Sequence, residues 1–321
     1  VFNFNFDLQK ALIGKLNLTK QYPFSEIAFN MNANFTGNKL DNLDGIINIE
    51  NGTYKNRNGT LNLKGLELKS LIGENENKLS FTSDFFDFEM VGIYHFVSLI
   101  DALEKSLNKY IPAFSVEEAE LTKHNIFNYQ ISAKNLDKLT AIFTPTYNIE
   151  TPFLIYGKLN SKESFLSVEG SIPGLTTKNI HINNIYIGNK PKSDRYSLKF
   201  RFGEITLING LSLYNLTIDS NVGQNIMDNQ ITWTNYHSTT YSGTIKTRST
   251  FTRIDSTKHP IVFIEGFPSS VFIADSAWQI TSFKAKIDSS AIDVRNFRFF
   301  NKEQEIAING KISENEQDSL S

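Results

Sequence analysis

Apolar side chains recur at every second residue along almost the whole chain, and a period of two is the spacing of a strand with one face covered. The pattern opens as Phe2, Phe4 and Phe6, then returns as Ile27, Phe29, Met31, Ala33 and Phe35, as Phe86, Phe88 and Met90, and as Tyr196, Leu198, Phe200 and Phe202. Shorter runs such as Ile47 and Ile49, Leu61 and Leu63, Leu66 and Leu68, and Ile306 and Ile308 fill the intervals. The alternating positions carry Asn, Lys, Thr and Ser, so one face of each strand meets water. Between runs, segments such as "NGTYKNRNGT" and "IGNKPKSDR" supply the positive-φ and side-chain-capped backbone of short turns. Hairpin-length gaps between half-solvated strands specify an antiparallel sheet.

The rule changes inside "KLSFTSDFFDFEMVGIYHFVSLIDALEKSLNKYIP", Lys78 to Pro112. Leu79 and Phe81 are odd-numbered while Phe86, Phe88 and Met90 are even, which places a turn at Asp84. Beyond Phe96 the spacing becomes three and four, at Leu99, Ile100, Leu103, Leu107 and Ile111, and predicts a helix at about 98–111 with Ser98 as cap and Pro112 as stop. A shorter helix is expected at about 136–143, capped by Asn135, with Leu136, Leu139 and Ile142 on one face and Pro145 beyond its end. A third is expected at "FNFDLQKALIG", with Asp7 as cap and Leu8 and Leu12 buried. Each follows a strand directly, which suggests a repeated unit of sheet closed by a helical lid. The chain then divides into a sheet module over 1–112, closed by the first helix, and a continuing sheet module over 113–321 that holds the second, together one elongated piece.

Composition excludes more than it identifies. Lys and Arg number 32 against 34 Asp and Glu, a balance that gives no electrostatic footprint for nucleic acid. The absence of cysteine removes disulfides, thiol nucleophiles and thiolate metal sites. His95, His124, His181, His237 and His259 have no second histidine at local zinc-site spacing, and no G-x-S-x-G, P-loop or G-x-G-x-x-G motif occurs. Asp84 and Asp87 lack the alternating oxygen donors of a calcium loop and read as turn residues. No catalytic residue, metal or cofactor is expected, and the chain reads as a non-enzyme. It has no stretch of about 18 apolar residues, and "VFNFNFDLQK" lacks the pattern of a signal peptide, so it reads as an interior piece of a longer protein.

What is abundant is apolar strand face rich in Phe. Periodicity leaves two arrangements open: the interdigitated core of a sandwich, or a groove lined with hydrocarbon. Trp233 and Trp278 belong to the same pattern, with sugar stacking as the alternative use.

Several strings carry a resemblance. "LDNLDGIINIENGTYKN", "LNLKGLELKS" and "LSFTSDFFDFEMVGIYHFVSLIDALEKSLNKYIPAF" resemble the repeated interior of the TamB family of Bacteroidetes-type bacteria, within the AsmA-like group. The resemblance returns from Val271 to Leu320, where Asp275, Trp278 and the segment Gln304 to Gly310 stand in family order. It implies an all-β chain with two or three short helices, a long, largely antiparallel, repetitive sheet curved into an open apolar groove. It further implies a periplasmic bridge that carries phospholipid to the outer membrane, with its inner-membrane anchor outside this chain. A BamA-like outer-membrane partner would be engaged through parts also absent here. On that reading the acyl chains lie against Phe29, Met31, Phe35, Phe86, Phe88, Met90, Phe200 and Phe202. A chain of about sixteen carbons crossing water costs roughly 13 kcal/mol at about 0.8 kcal/mol per methylene, which an apolar wall removes. The rival functions are a scaffold that pairs its sheet edges with outer-membrane strands, and an extracellular carbohydrate-binding or adhesive protein. End-to-end self-association is also expected of such a piece.

Overall fold

The computed structural model describes residues 1–15, 22–114, 123–191, 194–235, 239–253 and 260–313. Among them the chain is mostly β, one long antiparallel sheet of 21 strands with two α-helices. It forms two compact units that interleave in sequence. The first comprises Val1–Ala102, Leu121–Lys162 and Val168–Asn183, the second Leu103–Glu120, Glu163–Ser167 and Asn184–Ser321.

The first unit holds β1 (Phe2–Leu12), β2 (Glu26–Thr36), β3 (Asp44–Asn56), β4 (Gly59–Ile72), β5 (Asn77–Ser83), β6 (Phe86–Ile93), β7 (Ile126–Ala133), β8 (Tyr147–Ile149) and β9 (Phe153–Asn160). From β1 to β7 each strand pairs antiparallel with the next, and β7 pairs with β9. The β5–β6 hairpin turns at Asp84 and Phe85, where the Ser83 hydroxyl accepts the Phe85 and Phe86 N–H groups at 3.2 Å each and Asp84 accepts the Lys64 N–H at 2.7 Å. The odd-to-even switch is therefore a hairpin, as expected.

The third helix is not present. Residues 2–12 form β1, paired residue for residue with β2 from Phe2↔Phe35 to Leu8↔Phe29. A bulge between Leu8 and Ala11 inserts one residue, so that Ala11, opposite Ile27, shares the face of Leu8 while Leu12, opposite Glu26, falls on the other. A second irregularity, at Ala28/Asn30 opposite Thr53/Glu50, lies beside the first, and Asn51 in β3 has φ 52°. Neighbouring bulges bend and twist this part of the sheet.

The other two helices are α1 (Leu99–Asn108) and α2 (Asp137–Phe143). The expected apolar stripe of α1 is only partly covered: Leu99, Leu103 and Ile111 are half-buried but Ile100 is 69% and Leu107 45% exposed, and the fully buried line is Ser98, Ala102, Ser106 and Tyr110, four residues apart. Nor does Ser98 cap the helix: its hydroxyl accepts from Asn125 Nδ2 at 3.1 Å. Asn135 is likewise not the cap of α2, a position held by Leu136; the Asn135 N–H donates to the Phe85 carbonyl at 3.1 Å.

Strand β10 (Phe165–Thr177) lies mostly in the first unit and β11 (Ile180–Pro191) mostly in the second. There β12 (Tyr196–Leu207), β13 (Ser212–Gly223), β14 (Ile226–Thr234) and β15 (Ser242–Thr252) form a meander. They are followed by β16 (Ile261–Gly266), β17 (Ser269–Ile273), β18 (Ser276–Ile280), β19 (Phe283–Ile287), β20 (Ala291–Phe300) and β21 (Glu305–Ser313). Six of these close on themselves: β15 pairs with β16, β16 with β19, β19 with β20, β20 with β18, β18 with β17, and β17 back with β15. The β17–β18 hairpin turns through Ala274 and Asp275, both at positive φ, the geometry that matches strand twist in a two-residue turn.

Candidate functional site

Residues directly opposite in an antiparallel ladder share a face, so register alone defines the two surfaces of the first unit. One row reads Phe4, Ala33, Ile47, Leu68, Phe81, Phe88, Ile131, Ile155 across eight strands, and every member is apolar. The adjacent row on the other face reads Asn5, Asn32, Asn48, Glu67, Thr82, Asp87, Ser132, Leu154. The Asn32 amide donates to Asn5 Oδ1 at 2.7 Å, and Lys134 with Asp87 and Lys78 with Glu89 form ion pairs at 2.6 Å. Charge and hydrocarbon are thus sorted to opposite sides of one sheet.

All six candidates of this unit lie on the apolar side. Met31 faces Phe6 and Ile49, Phe35 faces Phe2, Phe29 faces Leu8, Phe86 faces Ala133, Phe88 sits between Phe81 and Ile131, and Met90 sits between Leu79 and Tyr129. Five are half-buried; Met90 is buried at 3% exposure and meets neighbouring side chains. Burial pushes the Tyr129 phenol above its ordinary value, so it adds no charge to this face near neutral pH.

Beside the bulges the apolar face sinks into a furrow of about 280 Å³ whose wall is hydrocarbon. Ile27, Phe29, Tyr54, Leu61, Leu63, Phe85, Phe86 and Leu139 line it. Two candidates, Phe29 and Phe86, are therefore brought together with residues that the sequence reading did not select. Leu61 and Leu63 carried a usable signal in their alternation. Tyr54 and Leu139 arrive only through the bulge in β3 and the docking of α2.

Helix α2 closes one side of the furrow. Its Leu136, Leu139 and Ile142 pack on Leu61, Leu63, Tyr54, Phe85 and Phe86. Its C-terminal carbonyls, left without helical partners, are met by side chains: Asn56 and Asn58 Nδ2 donate to the Ile142 carbonyl at 3.1 and 2.8 Å, and the Tyr22 hydroxyl to the Phe143 carbonyl at 3.0 Å. The Tyr54 and Phe143 rings stack at 5.0 Å. Replacing both Asn56 and Asn58 by alanine is expected to cost about 1–3 kcal/mol, read as a lower urea midpoint, because the Ile142 carbonyl loses both donors.

In the second unit Phe200 faces Ile218 and Phe202 faces Leu216, their rings near-parallel with centroids 6.5 Å apart. The row of Phe200 continues through Ile218, Ile231 and Ile245. Trp233, Gly243, Val271 and Trp278 form another row on that face, and Phe299 covers Trp278 at 4.6 Å. One ring face of Trp278 is thus already occupied. His237 and His259 lie outside the described residues, and no described helix is long and apolar enough to cross a membrane.

No family model, curated protein or solved structure matches the chain.

Proposed function

We propose that the chain is a lipid-carrying segment of a periplasmic bridge between inner and outer membrane, with acyl chains lying against the apolar face and headgroups left in water. One observation carries the reading: an uninterrupted apolar row eight strands wide that opens beside a hydrocarbon-walled furrow, with charged groups sorted to the other face. A hydrocarbon chain loses most of its transfer cost on such a wall. The lining offers no charged group that would hold a headgroup in one place, which suits passage better than storage. The resemblance to the TamB interior points the same way, and with it to outer-membrane biogenesis alongside a BamA-like partner.

The test is native mass spectrometry of the purified chain, expected to show co-isolated phospholipid. Benzoylphenylalanine at Phe29 or Phe86 is expected to crosslink to lipid on illumination, and the same probe at Asn32 or Asn48 is not. Equal yields on both faces, or none on either, would overturn the proposal. Phe88→Asp, read with the probe at Phe86, and Phe200→Asp, read with a probe at Phe202, are each expected to cut lipid crosslinking at least tenfold while circular dichroism stays that of the folded sheet, since a carboxylate on the wall must be desolvated by each passing chain.

A further inference from the structure

Strands β15, β16, β19 and β20 pair in that order, and the β17–β18 hairpin is an insertion between the second and third of them. Phe267 and Pro268 lead into it from β16, and Thr281 and Ser282 lead out to β19. The hairpin is held on each side by a short seam: Ser242↔Phe272 and Gly243↔Val271 toward β15, Gln279↔Phe300 and Ile280↔Phe299 toward β20. At its base the Phe267 N–H donates to the Lys246 carbonyl and the Thr281 N–H to the Arg298 carbonyl, both at 3.0 Å. At its tip Asp275 is latched to Thr240: the Thr240 N–H donates to Asp275 Oδ1 at 2.7 Å, and the Asp275 N–H to the Thr240 carbonyl at 3.2 Å. What the hairpin shuts off is the wall of Phe200. That wall reaches β15 at Ile245, which shares a face with Gly243 and Ser249. From Ser249 the same face continues as Ile264, Ala285 and Val294, while Val271 and Trp278 of the hairpin face into the same ring. The ring is filled where the wall enters it, since a β-carbon at Gly243 would lie 2.6 Å from both the Trp233 ring and Val271 Cγ1. A hydrocarbon chain on the wall has no room beyond Ile245 while the hairpin is down.

We infer that the β17–β18 hairpin is a flap that gates this wall: it swings about the Phe267–Pro268 and Thr281–Ser282 links, and its release from β15 and β20 opens the stretch from Ile264 to Val294 to an acyl chain. The occupant rests on the lipid reading above, whereas the motion follows from the seams alone. Short ladders open first because few backbone bonds and little apolar contact are lost, and a released two-stranded hairpin is marginal in water, so its own amides exchange as well. Amide exchange of the full chain is expected to be at least about tenfold faster over 269–280 than over 261–266 of β16. Because the chain has no cysteine, Ser242→Cys with Phe272→Cys gives a single disulfide on the outer side of the ring, near the hairpin tip, and oxidation is expected to remove that difference. Gln279→Cys with Phe300→Cys, across the other seam, is expected to act alike. Benzoylphenylalanine at Phe297, inside the ring against Phe283, is expected to crosslink lipid in the reduced double variant and at least about fivefold less in the oxidised one, while the same probe at Phe200 gives equal yields in both. Exchange over 269–280 no faster than over 261–266 overturns the flap whatever the lipid does. So does a probe at Phe297 that is silent, or indifferent to oxidation, while Phe200 is labelled. Silence at Phe200 is the failure of the lipid reading, and it takes the flap's occupant with it.

Discussion

Phe85→Ala is expected to lower the unfolding free energy of the first unit by about 3–5 kcal/mol and to loosen α2 from the sheet. Phe85 is 7% exposed and forms one cluster with Leu61 and Ile142, so its ring is the piece of the β5–β6 turn on which the helix rests. Truncation leaves a cavity beneath Ile142 and removes one wall of the furrow. The Phe85 carbonyl, which accepts the Lys134 and Asn135 N–H groups at 2.8 and 3.1 Å, is untouched, so the loss isolates packing from backbone hydrogen bonding. Urea unfolding gives the magnitude, and amide exchange at residues 137–143 shows whether the helix is the part released. Val97→Ala is the control: at 87% exposure it is expected to stay within about 0.5 kcal/mol of the parent. A Phe85→Ala loss no greater than that of Val97→Ala would mean that α2 does not depend on this contact.

Much of the architecture was legible because a pleated strand gives its side chains no choice of side. Once Phe81 and Phe88 are placed opposite each other by the turn at Asp84, every second residue of β5 and β6 follows, and the apolar row extends strand by strand. The misreadings have a common source in side-chain size and one-residue insertions. Asp7, Leu8 and Leu12 look like a cap and a helical face, but the segment is a strand in which the residue inserted between Leu8 and Ala11 puts Leu12 on the side away from Leu8. Ile100 and Leu107 look like part of a buried stripe, but the fully buried line is Ser98, Ala102 and Ser106, whose small polar and methyl side chains carry no apolar periodicity to read. Phe29 and Phe86 could be chosen as wall residues from periodicity, whereas their meeting with Tyr54 and Leu139 required knowing where β3 bulges and where α2 docks. Ring closure was beyond the pattern altogether: β17 joins β15 through Ser242↔Phe272 and Gly243↔Val271, and β18 joins β20 through Gln279↔Phe300 and Ile280↔Phe299, contacts between residues far apart in sequence.

Those few pairs make the ring sensitive to a single charge. Val271 is 2% exposed and faces Gly243 and Trp278, and a β-carbon added at Gly243 would lie 2.6 Å from both the Trp233 ring and Val271 Cγ1. Glycine is needed there because the interior is already filled. Val271→Asp therefore buries a carboxylate among hydrocarbon with no room to reach solvent, and is expected to cost about 4 kcal/mol or more at neutral pH. Trp233 and Trp278 are the two tryptophans of the chain and both lie in the row of Val271, so a red shift of their emission reads opening of the ring directly. The pH dependence separates charge from shape. Burial raises the folded-state pKa of the new carboxyl above its unfolded value of about 3.9, so the penalty is smallest below that pH and grows as the pH rises through the interval. Val271→Asn, equal in size but without a charge, is expected to be destabilised by a similar amount at pH 4 and at pH 8. If Val271→Asp shows no pH dependence beyond that of Val271→Asn, and no red shift, then Val271 is not enclosed and the six-strand ring is not closed in solution.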